Sequence, residues 1–412
     1  MPLPKLKSGI PYGWWIVIVA APVNLYVGAT FFYGFSACFN PIAVQFGWAY
    51  ALISLASTFR GFESGVLAPV VGILADRVGF KKLMLVGMAI FGISGIFLSR
   101  IQDLTSFYTI SLVYALGTSL ISPVVSVTAI AKSIRKGTSL AMGLIMAGYA
   151  AGGLLIPGIV WIVDQYSWRT ALALFGIGAW LLAIPLFLFP GGPPKETAMA
   201  ASKTSPESEL KLKPKPTPSG LTVRESLRKK DFWLLSAATL FGGIASMAII
   251  VHQLPYLASV GLSRQTAGFL ALVFALSNVI GRLGLSWLAD FFDRRSCFAM
   301  ASAMQAIGVL AFALAQNTGQ FLAALIILGL GFGGVVPLRS ALQIELFGSR
   351  SFGTIQGLLM AFVTVGSMVS PPFAGWMFDN FGSYRTAFVV LGALTFITLP
   401  AVLLITKPGA SR

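Results

Sequence analysis

Histidine and cysteine are scarce in this sequence. Its 412 residues include one histidine, His252, and two cysteines, Cys38 and Cys297. A disulfide framework needs more cysteines than this, and a metal or nucleophilic site usually draws on several such side chains. The sequence also lacks the patterns H-E-x-x-H, G-x-S-x-G and G-x-x-x-x-G-K-[ST] of metalloproteases, serine hydrolases and ATP-binding proteins. We therefore expect no enzymatic activity, no cofactor and no metal site.

Charge is scarce as well. Charged residues make up 10% of the chain and hydrophobic residues 56%, whereas soluble domains are about 25% charged. Lys and Arg number 29 against 13 Asp and Glu, which gives a net charge of +16. The cations lie in short loops between apolar runs, not on one face of a soluble domain, so we expect no nucleic acid partner. The composition indicates a protein whose main solvent is the lipid bilayer.

Twelve apolar segments, each about long enough to cross a bilayer as a helix, divide the sequence. The first is too long for the core of a cleaved signal peptide, so we interpret it as an uncleaved span. The predicted spans cover residues 13–39, 50–72, 83–99, 106–131, 139–163, 170–189, 232–256, 265–288, 297–315, 320–346, 353–376 and 386–406.

The distribution of Lys and Arg predicts the orientation of these spans. Most of them fall before the first span, in the even-numbered loops and after the last span. The odd-numbered loops hold four, namely Arg100, Arg169, Arg264 and Arg385. Because positive residues are retained on the cytoplasmic side, both termini are predicted to be cytoplasmic.

Two parts of the sequence repeat each other at a nearly constant offset, as in an internal duplication. LADR at residues 74–77 matches LADF at residues 288–291, and GLIMAG from Gly143 matches GLLMAF from Gly357 at the same offset. WRTALALFG from Trp168 matches YRTAFVVLG from Tyr384 at a slightly larger one. We predict one six-helix half at residues 1–189 and another at residues 231–412, joined by a cytoplasmic linker at residues 190–230.

The linker is rich in Pro, Ser and Lys and has too few large apolar residues to build a core. Near its end, Thr222 stands three residues before Glu225, which is the spacing of a capping box. This pattern predicts a short amphipathic helix that runs to Lys230 on the membrane surface.

The segment GILADRVGFKK, residues 72–82, resembles the loop signature of the major facilitator superfamily, and LADFFDRR from Leu288 resembles its degenerate copy. RKGTSLAMGLIMAGYAAGG from Arg135 and SPPFAGWMFDNFGSY from Ser370 resemble segments of monocarboxylate transporters and their bacterial relatives. The resemblance implies an all-α membrane protein with twelve transmembrane helices in two pseudo-symmetric six-helix halves. It further implies a monomer in the inner membrane of a prokaryote that carries a small monocarboxylate, such as L-lactate or pyruvate, with a proton by alternating access.

In that family an acidic residue and an arginine, four apart in the eighth span, are associated with the substrate anion and the proton. The matching positions here are Asn278 and Arg282, so the arginine is present and the acid is an amide. The family's first-span lysine has no counterpart, because residues 31–36 read FFYGFS. These departures leave the proton-coupling residue open.

Arg282 has chemistry that suits a monocarboxylate. A charge at mid-membrane costs about 3 kcal/mol unless it meets water or a partner. A guanidinium can donate two parallel hydrogen bonds to one carboxylate, and Asn278, one turn away, lies on the same helix face. The alternative is a structural arginine that pairs with a backbone carbonyl or with Glu63.

Three other residues are candidates for proton coupling. Arg60 and Glu63 are three apart in the second span, a spacing that allows an ion pair. Alternatively, Glu63 accepts the transported proton, because a carboxylate in a low-dielectric site can titrate near neutrality. His252 is the remaining candidate, either as a gate or proton-linked residue or as a structural histidine.

Two further sets complete the candidates. Charged residues of the inner loops are expected to latch the two halves together on the cytoplasmic side, namely Asp76, Arg77, Lys81, Asp290 and Arg294. Five aromatic residues lie at depths where they would line a central cavity, or else pack in the core or against lipid: Tyr26, Tyr33, Tyr114, Tyr149 and Phe332. Two other kinds of transporter stay open, an anion exchanger of the oxalate or formate type and an exporter of drugs or sugars.

Overall fold

The structure is a computed structural model that describes residues 12–62, 67, 71, 74, 78–133, 138–188, 220–348 and 350–406. Within these residues the regular structure is almost entirely helical, and 11 helical runs are long and apolar enough to cross a membrane. The predicted second span begins as the helix Tyr50–Phe62 and continues into residues outside the described ranges.

The N-terminal half contributes nine helices among its described residues. A π-helical turn, Gly28–Tyr33, joins the first two into one span, and a 3-10 turn, Gly152–Leu155, joins the seventh and eighth. The helices are α1 Tyr12–Val27, α2 Gly34–Phe46, α3 Tyr50–Phe62, α4 Phe80–Leu98, α5 Leu104–Leu120, α6 Pro123–Ser133, α7 Thr138–Ala151, α8 Ile156–Gln165 and α9 Trp168–Leu188.

Longer continuous helices build the C-terminal half. Three of them, α11, α14 and α15, are 30 residues each and therefore about 45 Å long. The helices from the end of the linker onward are α10 Val223–Arg228, α11 Lys230–Ser259, α12 Arg264–Leu288, α13 Arg294–Leu314, α14 Thr318–Phe347, α15 Phe352–Phe381, α16 Arg385–Phe396 and α17 Thr398–Leu403.

The capping box predicted before α10 is confirmed. The Thr222 backbone N–H donates to Glu225 Oε2 at 2.7 Å, and the Glu225 N–H donates to Thr222 Oγ1 at 3.3 Å. Hydrogen bonds from the Thr222 backbone and side chain to the carboxylate hold the pKa of Glu225 below its ordinary value. The Leu221 N–H then bonds the Phe347 carbonyl at 2.8 Å, which attaches the end of the linker to α14.

Successive spans run in opposite directions, so their ends form two sides. We call the side that holds Leu188, Lys230 and Phe347 the linker side, and the side that holds Phe46 and Tyr50 the far side. The halves meet where α3 packs along α15, α2 against α11, and α8 against α12. Large apolar side chains on the outer surface of the bundle are exposed, among them Phe187, Leu188, Leu283 and Trp287, as expected where helices face lipid.

Candidate functional site

A cavity of about 250 Å³ lies among α11, α13, α14 and α15, with Phe32 closing it from the N-terminal half. Most of its wall is apolar. No carboxylate lines it among the residues that the structure describes. Its polar side chains are those of Thr239, Ser246, Gln305, Arg339, Thr364 and Ser367.

Arg339 supplies the positive charge of this cavity. The side chain is 3% exposed, and neither Nε nor Nη2 has a hydrogen-bond partner among the described residues. Arg339 stands eight residues before Phe347, the end of α14, and so lies about 12 Å inside the linker-side end of that helix. A buried unpaired charge is costly, and an anion in the cavity would offset that cost.

Arg339 is not among the site residues predicted from the sequence, although it falls inside the predicted span 320–346. The signal was available, since a cation within an apolar span is unusual. Gln305 is likewise absent from the predicted site residues. It is 1% exposed in α13, and its Nε2 donates to the Gly242 carbonyl at 2.7 Å and to Ser246 Oγ at 3.0 Å, while Oε1 has no partner among the described residues.

Arg282 and Asn278 lie on α12, outside the residues that line the 250 Å³ cavity. Glycines of α14 let its backbone approach them closely: a Cβ at Gly333 would lie 2.0 Å from Asn278 O and 2.7 Å from Arg282 N. Asn278 is 1% exposed, and neither its Oδ1 nor Arg282 Nε has a partner in the described part of the chain. The Arg282 guanidinium lies near the Tyr33 hydroxyl of the N-terminal half. Substrate contact by this pair stays a prediction.

The predicted aromatic residues occupy different places. Phe332 lines the cavity. Tyr33 and Tyr149 lie behind the cavity residue Phe32, with ring centroids 5.1 and 5.6 Å from it. They therefore pack against a residue of the cavity wall without lining the cavity themselves. Their direct contact with substrate stays a prediction.

The other two tyrosines lie outside this cavity. The Tyr26 hydroxyl donates to the Phe175 carbonyl at 2.7 Å, which joins α1 to α9. Tyr114 stacks on Phe91 at 4.3 Å and lines a separate cavity of about 20 Å³. Both residues pack within the N-terminal half in this structure.

His252 lies between the halves and is 0% exposed. Its Nε2 is 2.9 Å from the Pro371 carbonyl, which only accepts, so Nε2 carries the proton and donates. Nδ1 then accepts from the Tyr384 hydroxyl at 3.1 Å, and Ser54 Oγ lies 3.0 Å from Nε2. These contacts satisfy a neutral imidazole and join α3 to the C-terminal half.

Two carboxylates join the halves on the far side. Asp379, near the end of α15, accepts from the backbone N–H groups of Tyr50 and Ala51 at 2.8 Å each, where α3 begins. Asp164, near the end of α8, pairs with Arg264, where α12 begins. The two carboxylates hold corresponding positions in the duplicated sequence. Asp164 stands just before the segment that begins at Trp168, and Asp379 stands just before the copy of that segment that begins at Tyr384. The internal repeat therefore produces two related contacts between the halves on the far side.

The predicted latch on the linker side is only partly described. Arg294 pairs with Glu345 of the same half at 3.9 Å, and the Lys81 ammonium lies 5.6 Å from the ring of Phe187. Asp290 is exposed. Three predicted residues, Glu63, Asp76 and Arg77, lie outside the described residues, as does the side chain of Arg60. Contacts of this latch across the halves stay a prediction.

A model of the family described as Major Facilitator Superfamily matches residues 12–260 and 245–412, which together span all but the start of the chain. The chain belongs to the major facilitator superfamily. A bacterial homologue of the human lysosomal transporter Spinster, solved in an inward-facing and occupied conformation, shares the fold of this facilitator. The two superpose with a TM-score of 0.73 at 17% identity, over 97% of this chain and 98% of the other.

Within the superfamily, this facilitator is related to monocarboxylate transporters. It is 25% identical to monocarboxylate transporter 12 of Rattus norvegicus, over 92% of this chain and 82% of the relative. It is 26% identical to monocarboxylate transporter 11 of Homo sapiens, over 94% and 82%, and 24% identical to transporter 13 of Rattus norvegicus, over 96% and 89%. The fold and family predicted from the sequence are confirmed.

Proposed function

We propose that this facilitator is a secondary transporter that carries small monocarboxylates, such as L-lactate or pyruvate, together with a proton. The relatives named monocarboxylate transporters support this substrate class. The sequence has no ATP-binding pattern, which supports a mechanism driven by gradients. We further propose a monomer in the inner membrane of a prokaryote, with the linker side cytoplasmic because Lys and Arg concentrate there.

The observation that carries this proposal is the buried guanidinium of Arg339 on the wall of the cavity. Its Nε and Nη2 lack partners among the described residues, and the described lining contains no carboxylate that would neutralise it. A single cation suits an anion of one charge. The volume of about 250 Å³ lies below the roughly 300–1,000 Å³ of pockets for drug-sized ligands, which favours a small solute over a drug.

Alternating access requires each side to close in turn, and the far side is closed in this structure. The contacts of Asp379 with α3 and of Asp164 with Arg264 join the halves there. With the linker side in the cytoplasm, the joined far side is the outer side of the membrane.

The proton has an electrical role in this proposal. Moving one elementary charge across the membrane couples to about 2.3 kcal/mol per 100 mV, so import of a bare anion into a negative interior is uphill. A proton that travels with the anion cancels that cost. Arg339 binds the carboxylate and stays charged throughout the cycle.

Uptake of radiolabelled L-lactate into proteoliposomes tests the proposal. We expect an inward proton gradient to drive accumulation by the wild type. Arg339→Gln should lose that accumulation, whereas the matched control Arg350→Gln, which removes an exposed arginine outside the cavity, should retain it. Counterflow without gradient-driven accumulation would instead identify an exchanger of the oxalate or formate type. Normal uptake by Arg339→Gln would show that Arg339 of the cavity is not needed to bind the transported anion.

A further inference from the structure

Two buried side chains of the cavity each have polar atoms without a partner among the described residues. These atoms are donors on one side chain and an acceptor on the other. Arg339 offers the donors Nε and Nη2, and Gln305 offers the acceptor Oε1. We propose that the two residues form a two-point site for a short 2-hydroxy acid, in which Arg339 binds the carboxylate and Gln305 accepts from the hydroxyl. The inference rests on the proposed function for the monocarboxylate class, and it adds a requirement for a hydroxyl donor.

The orientation of the Gln305 amide is fixed by its neighbours. The Gly242 carbonyl, 2.7 Å from the amide, can only accept, so the NH2 group must face it. The hydroxyl of Ser246, 3.0 Å from the same nitrogen, is compatible with that orientation. The amide therefore cannot turn to present a donor without losing the bond to Gly242. Oε1 is left as the acceptor, and a buried acceptor without a partner costs free energy until a donor arrives.

Arg339 and Gln305 are offset along the membrane normal, and the direction of their helices decides how the side chains lean. Gly331 of α14 lies beside Gln305, since a Cβ at Gly331 would lie 2.5 Å from Gln305 N. Arg339 follows Gly331 by eight residues, or about 12 Å toward the linker side. Side chains lean toward the N-terminal end of their helix, which is the far side for α14 and the linker side for α13. The two side chains therefore lean toward each other across the cavity that both of them line.

This arrangement distinguishes three acids that share three carbons. L-lactate carries a hydroxyl that can donate to Gln305 Oε1. Propionate has hydrogen atoms on carbon there and leaves the acceptor unpaired. Pyruvate presents a carbonyl oxygen, so two acceptors would face each other. A site built to bond a substrate hydroxyl rejects analogues that lack it, because its own polar group is then left unpaired.

Calorimetry measures the affinities of the three acids for the purified full chain in detergent, and so tests this discrimination without any mutation. We expect L-lactate to bind at least about tenfold more tightly than propionate, because one buried acceptor gains its partner. Pyruvate should bind no more tightly than propionate. Equal affinities for the three acids, or a preference for pyruvate, would overturn the inference.

Variants then assign the effect to its residues. Gln305→Met should remove the preference for lactate and leave propionate binding unchanged, while Arg339→Gln should weaken binding of all three acids. Gln343→Met is a matched control. Gln343 is also fully buried, donates to a backbone carbonyl at 2.9 Å and has an Oε1 without a partner among the described residues, but it does not line the cavity.

A preference for lactate that survives Gln305→Met would contradict the inference, as would unchanged binding in Arg339→Gln. These outcomes are distinct from failure of the proposed function. A preference for lactate in binding without proton-driven uptake would leave the inference intact and refute proton coupling. Equal proton-driven uptake of propionate and lactate would support transport and refute the hydroxyl requirement.

Discussion

Arg282 and Arg339 are guanidinium groups within membrane-spanning helices, and they differ in what surrounds them. Arg339 lines the cavity and is 3% exposed. Arg282, on α12, lies near the Tyr33 hydroxyl of the N-terminal half. A cation at a surface between the halves can contact the anion in one state and the opposite half in another. We therefore assign anion binding in the state described here to Arg339, and we expect Arg282 to contact the anion in another state of the transport cycle.

The first prediction concerns Arg282. Arg282→Gln should abolish lactate uptake while the protein remains folded and inserted, because the variant removes a countercharge without adding bulk. Uptake into proteoliposomes and elution of the purified variant as a single species are the measurements. Arg350→Gln makes the same change of charge at an exposed position and should transport normally. Uptake by Arg282→Gln at the wild-type apparent affinity would show that the anion does not use this residue.

At the scale of helices, glycine determines how closely α14 approaches α12. A Cβ at Gly333 would lie 2.0 Å from the Asn278 carbonyl oxygen, whereas a Cβ at Gly284 would meet nothing within 4 Å. Both glycines lie in helices, so alanine at either position has the same backbone preference. A comparison of alanine at the two positions therefore separates the effect of close helix packing on stability from the effect of helix propensity.

The second prediction follows from that pair. Gly333→Ala should lower the free energy of unfolding by about 1–3 kcal/mol, because overpacking forces the two backbones apart. Gly284→Ala should be neutral or slightly stabilising. Thermal unfolding of the purified proteins in the same detergent measures both. Equal melting temperatures for the two variants would mean that α12 and α14 adjust freely at this contact.

The closed far side gives the third prediction, with Cys38 as a reporter. Cys38 is 0% exposed, and Arg264, the partner of Asp164, also donates to the adjacent Ala37 carbonyl at 3.1 Å. Asp164→Asn or Asp379→Asn should raise the rate at which a membrane-impermeant maleimide labels Cys38. We expect at least about a fivefold increase, since a hydrogen bond to a charged group contributes about 1.5–3 kcal/mol.

The control for this experiment is Asp103→Asn. All three aspartate variants are made in a chain that also carries Cys297→Ala. Asp103 lies on the far side too, but it bonds the Ser106 N–H at the start of its own helix, α5. Its loss should leave the labelling of Cys38 unchanged. Equal labelling in all three aspartate variants would mean that these carboxylates do not hold the halves together.

At the scale of the whole molecule, net charge movement decides how the gradients act. The last prediction is that lactate uptake follows the imposed pH gradient and is insensitive to membrane potential, since anion and proton together carry no charge. Glu63→Gln should lower the rate and keep the dependence on the gradient, because pairing with Arg60 would hold Glu63 ionised. His252→Gln should also keep that dependence, since the contacts of His252 satisfy a neutral imidazole. Loss of gradient-driven accumulation in Glu63→Gln, with exchange preserved, would identify Glu63 as the coupling residue.

The sequence by itself determined the class of molecule. Apolar runs of membrane-spanning length predict helices because the backbone cannot be left unpaired in lipid. The constant offset between repeated segments, such as LADR and LADF, predicts two related halves, and the spacing of Thr222 and Glu225 predicts the capping box. These features depend on neighbours along the chain or on the solvent, so they can be read without a fold.

Only the tertiary structure decided which polar residues share a space. Arg339 and Gln305 lie on different helices, and the packing of α13 against α14 brings both to one cavity. Asp379 meets Tyr50 although the two are far apart along the chain. Helical periodicity gives the face of a residue on its own helix, but not which helix covers that face. That depends on interhelical packing, here on glycines such as Gly331 and Gly333, whose missing side chains let the backbones approach.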